Sequence, residues 1–413
     1  MLDTFRGREG RAWLIVFASA TIIGMGIGSL FSISVFLKPL AAEFGWARGD
    51  TALAYTFATL LNGLGGILMG YLADRYAPRP IVIGGAVPLG ASLLMLGRIN
   101  ALWQLYLLFG PFVGLALSTF LAPLIANVGF WFERNHGMAI GTVMAGQSVG
   151  GALVPLVARY LISEIGWREA FMVMGIGFWL IVIPLTLLIQ AAPGAAQAKA
   201  ISRRAGGVGG DPGNSIAPGR LAMVLSAAIV LCCICMSIPI IHQVSLLTDA
   251  GISARTAASV MGFMMLCSVI GRVGVGKVAD YIGGIRSLLL FSSIQTAFTF
   301  WFTQTQSLPG LYAIALLFGL GYGGIIPAYA IILREYMPLH RIGSSVGTVF
   351  FFGNVGMGLG GYLGGLLFDL SGSYLLPYAV GTASGVCNML VVGSLLYYLS
   401  GRRPMLQFGA ERV

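Results

Sequence analysis

Charge is what this chain has least of. Only 9% of its 413 residues are charged, and just 14 of those are acids. A soluble domain carries about 25%, so with 57% hydrophobic residues and a mean hydropathy of +0.88 a soluble globular fold is excluded. Histidine is scarce too, with three in all, and no histidine or further cysteine stands at ligand spacing from Cys232-Cys233-x-Cys235. That leaves no metal site to expect. All five cysteines (232, 233, 235, 267 and 387) fall inside apolar runs, which excludes a secreted disulfide framework and marks them as small apolar packers. No phosphate-cradling glycine loop with its lysine is present, so ATP is not the energy source. Neither a nucleophile–base pair nor paired acids occur at membrane depth, so the reading is not an enzyme, and no cofactor is expected.

What the chain does have is long apolar runs. Twelve are of membrane-crossing length, near 12–37, 51–73, 81–98, 102–126, 138–160, 168–190, 221–247, 255–279, 286–303, 309–333, 342–367 and 374–399. The first follows Arg6, Arg8 and Arg11 as a signal peptide would. It is too long for one and has no small-residue cleavage site behind it, so it is expected to stay in the mature chain. An even number of spans puts both ends on one side. That side collects seventeen of the 24 basic residues, the other side six, and Arg272 lies alone between them. The asymmetry predicts cytoplasmic termini in a cell (inner) membrane, and it accounts for the net charge of +10 without a nucleic-acid partner. No obligate protein partner is evident; the lipid bilayer is the one partner this composition demands.

Between Ala191 and Arg220 the sequence turns polar and rich in Gly, Pro and Ser, the composition of a flexible linker. It divides the chain into an N-terminal six-helix half (1–190), a cytoplasmic linker (191–220) and a C-terminal six-helix half (221–413). The halves repeat at an offset of 206: Gly70-Tyr-Leu-Ala-Asp74 against Gly276-Lys-Val-Ala-Asp280, Gly141-Thr-Val against Gly347-Thr-Val, Val149-Gly against Val355-Gly. An all-α membrane protein of twelve transmembrane helices in two pseudo-symmetric six-helix halves, with its site between them, is a transporter architecture.

Arg272 is the residue that architecture has to explain. Twelve apolar or small residues precede it and four follow. With ~1.5 Å of rise per residue it sits roughly 7–8 Å from the membrane midplane on the side of the termini. A charge at that depth costs about 2.5–3.5 kcal/mol, and a guanidinium cannot escape by losing its proton. No Asp or Glu occupies the centre of any span, and the repeat puts Gly66 at the matching place in the first half. The expectation is that Arg272 binds a visiting carboxylate.

Four stretches give that expectation a family. Gly70-x-x-x-Asp74-Arg75-x-x-x-Arg79 resembles the loop signature of the major facilitator superfamily, with Ala77 and Pro78 where the pattern has Gly and Arg. Phe44-Gly-Trp46-Ala-Arg48, Asn127-Val-Gly-Phe-Trp131-Phe-Glu-Arg134 with Gly137, Ala139 and Gly141, and Gly271-Arg272-x-x-x-Gly276 resemble the monocarboxylate transporter and oxalate/formate antiporter group within it. The resemblance implies a secondary carrier of small monocarboxylates such as lactate or pyruvate, proton-coupled, working by alternating access. Its carboxylate residue maps onto Arg272. Oxalate/formate antiporters add a lysine in span 11; Val349–Leu366 has no basic residue, and one fixed charge matches one carboxylate. Anion exchange, or export of a larger organic anion, is the alternative.

Around Arg272 further residues are assigned. Ser268, one turn earlier on the same face, is a substrate contact or a hydroxyl bonded to its own helix. Tyr322, in Gly319-Leu-Gly-Tyr322-Gly-Gly, lines the cavity, where the resemblance puts an aromatic residue, or simply packs. His242, a second substrate contact, and Asp249 lie seven residues apart on one face of span 7 and are read as the proton-coupling pair, with an end cap the other reading of Asp249. Asp74, Arg75 and Asp280 are read as gating groups or as solvated loop charges. Gln147 and Asn354, paired by the repeat to within a residue, are read as glue between helices.

Overall fold

The computed structural model describes residues 2–132, 136–191, 218–337 and 342–399. Among them there are helices and no strands. In chain order these are α1 (Leu2–Phe31), α2 (Ile33–Phe44), α3 (Arg48–Arg75), α4 (Pro78–Leu96), α5 (Leu102–Leu107), α6 (Gly114–Trp131), α7 (His136–Ile165) and α8 (Trp167–Leu188). The second half contains α9 (Pro218–Asp249), α10 (Ala254–Ile282), α11 (Gly284–Thr299), α12 (Leu308–Tyr336), α13 (Ile342–Ser371) and α14 (Leu375–Leu399). Two apolar runs are broken without leaving the fold. α1 gives way to α2 at Ser32, where the hydroxyls of Ser29, Ser32 and Ser34 bond back to carbonyls of the preceding turn and loosen the ladder. α5 and α6 are joined by a π-turn, Leu108–Val113, around Pro111, whose missing N–H frees a carbonyl.

Eleven of the described segments are long and apolar enough to cross a bilayer, and α11 with its short continuation Phe300–Thr303 supplies the twelfth run. Several helices overrun the expected edges. α3 begins at Arg48 instead of 51 and α9 ends at Asp249 instead of 247, because polar turns at membrane level continue a helix that hydropathy alone truncates. The expected linker, 191–220, falls almost wholly outside the described residues.

Odd-numbered runs start on one face, here called the near face, where α1 begins and α14 ends; the opposite face is the far face. The halves meet along two seams, α3 against α13 and α7 against α10, with α2 against α9 beside them. Within the first half, α1 and α7 approach backbone to backbone. A Cβ on Gly24 would lie 2.6 Å from the Gly146 carbonyl oxygen, and one on Gly150 would be driven into Gly24. Gly150→Val is therefore expected to lower the apparent melting temperature by several degrees. Gly141→Val, on the same helix with nothing within 4 Å of the added carbon, is expected to leave it unchanged. Thermal-shift measurements on the two purified variants check the pair.

Candidate functional site

Arg272 lies on α10, half-buried, and Tyr322 comes to it from α12. The two helices touch closely because Gly271 and Gly323 leave no side chain between them: a Cβ on either would enter backbone of the other helix. The Arg272 Nη2 donates to Tyr322 Oη at 3.2 Å, and its guanidinium carbon stands 5.4 Å from the ring centroid. The Arg272 Nε is buried and has no hydrogen-bond partner. Among the described residues no carboxylate comes within ion-pair distance of it; the three ion pairs there are all at the far face. A guanidinium held by a neighbouring phenol, with no described acid beside it, is what a planar carboxylate binds, through two parallel N–H···O bonds.

Ser268 is turned elsewhere. Fully buried, its hydroxyl donates to the Met265 carbonyl at 2.6 Å and meets Ser148 Oγ of the first half at 2.7 Å. The α7–α10 seam is closed at that level, and Arg272, one turn further on, sits where it parts. The other seam behaves alike. Thr56 Oγ1 donates to the Gly358 carbonyl at 2.8 Å and Asn62 Nδ2 to Asn354 Oδ1 at 3.2 Å. Beyond them Gly66 and Gly347 face open space, as do Gly141 and Gly274 on the first seam. The hydrogen bonds described between the halves run from about mid-helix to the far face. The molecule is closed at the far face and parted toward the near face, with Arg272 just below the closure.

The closure is polar at its far end. Asp249, at the end of α9, is held by two cations of the other half: Arg48 donates to its two oxygens at 2.6 and 3.2 Å, and Lys38 Nζ stands 2.6 Å away. Arg48 also donates to Tyr374 Oη at 2.9 Å and lies 3.9 Å over the Phe368 ring. Asp369 of α13 accepts from the backbone N–H groups of Arg48 and Gly49, at 3.1 and 2.6 Å, so a carboxylate of one half caps the first turn of α3 in the other. His242 is fully buried; its Nε2 donates to the Gly361 carbonyl at 2.7 Å, leaving Nδ1 as an acceptor 3.5 Å from Tyr374 Oη. The expected pair His242 and Asp249 is thus connected, through Tyr374 and Arg48.

The repeat explains why Asp249 reaches across. At the 206-residue offset it corresponds to Glu43, and Tyr374 corresponds to Arg168. In the first half Arg168 neutralises Glu43 at 2.7 Å, helped by Trp167 Nε1. In the second half the cation's place is taken by a phenol, so the acid is neutralised only by drawing Lys38 and Arg48 over from the other half. The glycines that start these ends keep the same register: Gly45 with Gly251 and Gly166 with Gly372, all with positive φ between 68° and 85°.

Of the residues singled out from sequence, Arg272 and Tyr322 are together at the parting of the halves, and His242 and Asp249 belong to the far closure, away from them. Ser268 is in the seam. Asp280 is exposed toward the near face, Arg75 is exposed at the end of α3, and the Asp74 side chain lies outside the described residues. Sequence reasoning passed over Lys38, Asp369 and Tyr374, and met Arg48 only as the end of a family motif. The repeat held the signal, since Glu43 has a cation at 168 and Asp249 has none at 374.

A family model described as the Major Facilitator Superfamily matches residues 12–361 and, separately, 223–411. The chain is 26% identical over 375 residues to the uncharacterized MFS-type transporter YcxA of Bacillus subtilis, covering 89% of this chain and 91% of that one. It is 24% identical over 400 residues to monocarboxylate transporter 13 of Bos taurus, covering 96% and 92%. In fold it is similar to the nucleoside transporter NupG, with a TM-score of 0.74 at 10% identity over 92% of this chain and 99% of that one.

Proposed function

Because this chain belongs to the major facilitator superfamily, we propose that it is a secondary active carrier of small monocarboxylates, lactate- or pyruvate-like, moved with a proton by alternating access. The observation that carries this reading is the guanidinium of Arg272, unpaired by any described acid at the point where the halves part. Several of the chain's relatives are named monocarboxylate transporters, which supports the same substrate class.

The roles follow from position. Arg272 supplies charge and two parallel donors, and Tyr322 holds the guanidinium plane and offers its hydroxyl to the substrate's second oxygen. Ser268 closes the seam above the bound acid in this state and becomes a substrate contact when the seam opens. Asp249 takes the proton from the far side: protonated, it no longer attracts Lys38 and Arg48, and the far closure loosens. His242 stands behind it through Tyr374 and contacts substrate in the far-open state. Asp74, Arg75 and Asp280 gate the near face, which the basic excess assigns to the cytoplasm of a cell with this protein in its inner membrane. On that reading the state described above is inward-open. The grip of two cations on Asp249 favours a second reading, exchange of organic anions with no proton.

Uptake of labelled C2–C4 acids into proteoliposomes tests both. An inwardly directed proton gradient is expected to raise initial uptake at least tenfold over symmetric pH. Uptake no faster than in protein-free liposomes would overturn the carrier reading. Counterflow that ignores the gradient would select the exchanger.

A further inference from the structure

At the far ends of α7 and α10, on the outer side of the seam, lies a cavity of about 350 Å³. Arg159, Tyr160, Ser163 and Glu164 of the last turns of α7 line it, facing Arg255 from the first turn of α10. Arg159 is half-buried, yet neither arginine nor Glu164 has an ion-pair partner among the described residues. Two cations from opposite halves converge on one space, and the one acid on its lining, Glu164, is in ion-pair contact with neither.

The surface beneath the cavity says what kind of molecule fits. On α7 the residues at its level and below, Tyr160, Val157, Leu153 and Val149, are 58%, 53%, 51% and 39% exposed. On α10 Phe263, Leu266 and Ile270 continue the face at 37%, 44% and 61%. These stripes turn outward, away from the partner helix: on the inner side Leu156 packs on Gly262 and Ser148 on Ser268. A polar pocket at helix-end level, with exposed apolar side chains of both membrane-spanning helices below it, matches one phospholipid: headgroup above, acyl chain below.

We propose that this cavity binds the headgroup of a far-leaflet phospholipid, with the phosphodiester bridging Arg159 and Arg255. Glu164 sets the class. A carboxylate at the rim of a phosphate site repels a purely anionic headgroup and accepts bonds from a primary ammonium, so the lipid is an ethanolamine phospholipid. A choline headgroup, with no N–H, leaves that acceptor unmatched. Because the two arginines belong to different halves, the bound lipid braces the far closure. The site shares no residue with the proposed carboxylate path and stands or falls independently of it.

Native mass spectrometry of the purified full chain, given an equimolar mixture of phosphatidylethanolamine, phosphatidylglycerol and phosphatidylcholine, tests the assignment. Phosphatidylethanolamine is expected to be retained at least fivefold over each of the others. Arg255→Gln and Arg159→Gln are each expected to cut its retention at least fivefold, and Glu164→Gln to erase the preference while total phospholipid stays the same. Arg255 is exposed and its variant folds even where the half-buried Arg159 variant does not. Equal retention of the three lipids, undiminished retention by Arg255→Gln, or displacement of the lipid by millimolar inorganic phosphate would each overturn the proposal.

Discussion

Arg272→Gln is expected to abolish saturable uptake, lowering kcat/KM at least a hundredfold, while raising the protein's melting temperature. The two effects have one cause. Holding a guanidinium half-buried at membrane depth without a counter-charge costs about 2.5–3.5 kcal/mol, and the structure shows no described acid that offsets it. Glutamine removes that cost and with it the charge a carboxylate needs. Arg272→Lys keeps the charge but loses the planar fork, and is expected to retain a tenth or less of the activity with a raised KM. Were Arg272 a structural cation, Gln would lower the melting temperature and disturb uptake only through reduced protein yield. Uptake per folded molecule, measured alongside thermal unfolding, separates the two outcomes. A variant that is less stable and still transports at the normal rate would remove Arg272 from the substrate path.

The fold was legible because a bilayer permits so little. Apolar runs of the right length, an offset of 206 and a basic excess on one side leave few arrangements, and the helices appear where those signals place them, give or take a turn. Arg272 was legible for the same reason: a charge among sixteen apolar or small neighbours has nothing local to explain it. The far closure was not. Lys38 reads as an ordinary positive charge at a helix end and Arg48 as the end of a family motif, and only contact between segments 201 residues apart turns Arg48 into the partner of Asp249. Asp369 and Tyr374 were hidden likewise, since the hydrogen bonds that matter are to a helix N-terminus and a guanidinium of the other half. Ser268 shows the converse limit. Its helical face was read from spacing, but which neighbour that face meets depends on the state of the seam, and here it meets Ser148.

The far closure also fixes how large an effect Asp249 should have. Its pairs with Lys38 and Arg48 are about a third exposed on the acid's side, so each contributes on the order of 1 kcal/mol or less. That weakness suits a carrier, whose two states must lie within a few kcal/mol of each other to interconvert. Asp249→Asn removes both attractions at once and leaves Lys38 and Arg48 facing each other uncompensated. The far-closed state then loses about 1–2 kcal/mol, roughly a tenfold shift toward the far-open state. Substrate affinity at Arg272 should change by threefold at most, because no atom of Asp249 is near that site. Proton-driven accumulation should fall at least fiftyfold, since no titrating group remains to tie closure to protonation, while counterflow of substrate against substrate continues. Glu43→Gln is the control. Its partner Arg168 belongs to its own half, so the loss should appear in thermal stability and leave coupling intact. Equal losses of binding and transport in Asp249→Asn, or undiminished accumulation against a gradient, would take the proton away from Asp249 and leave it a latch only.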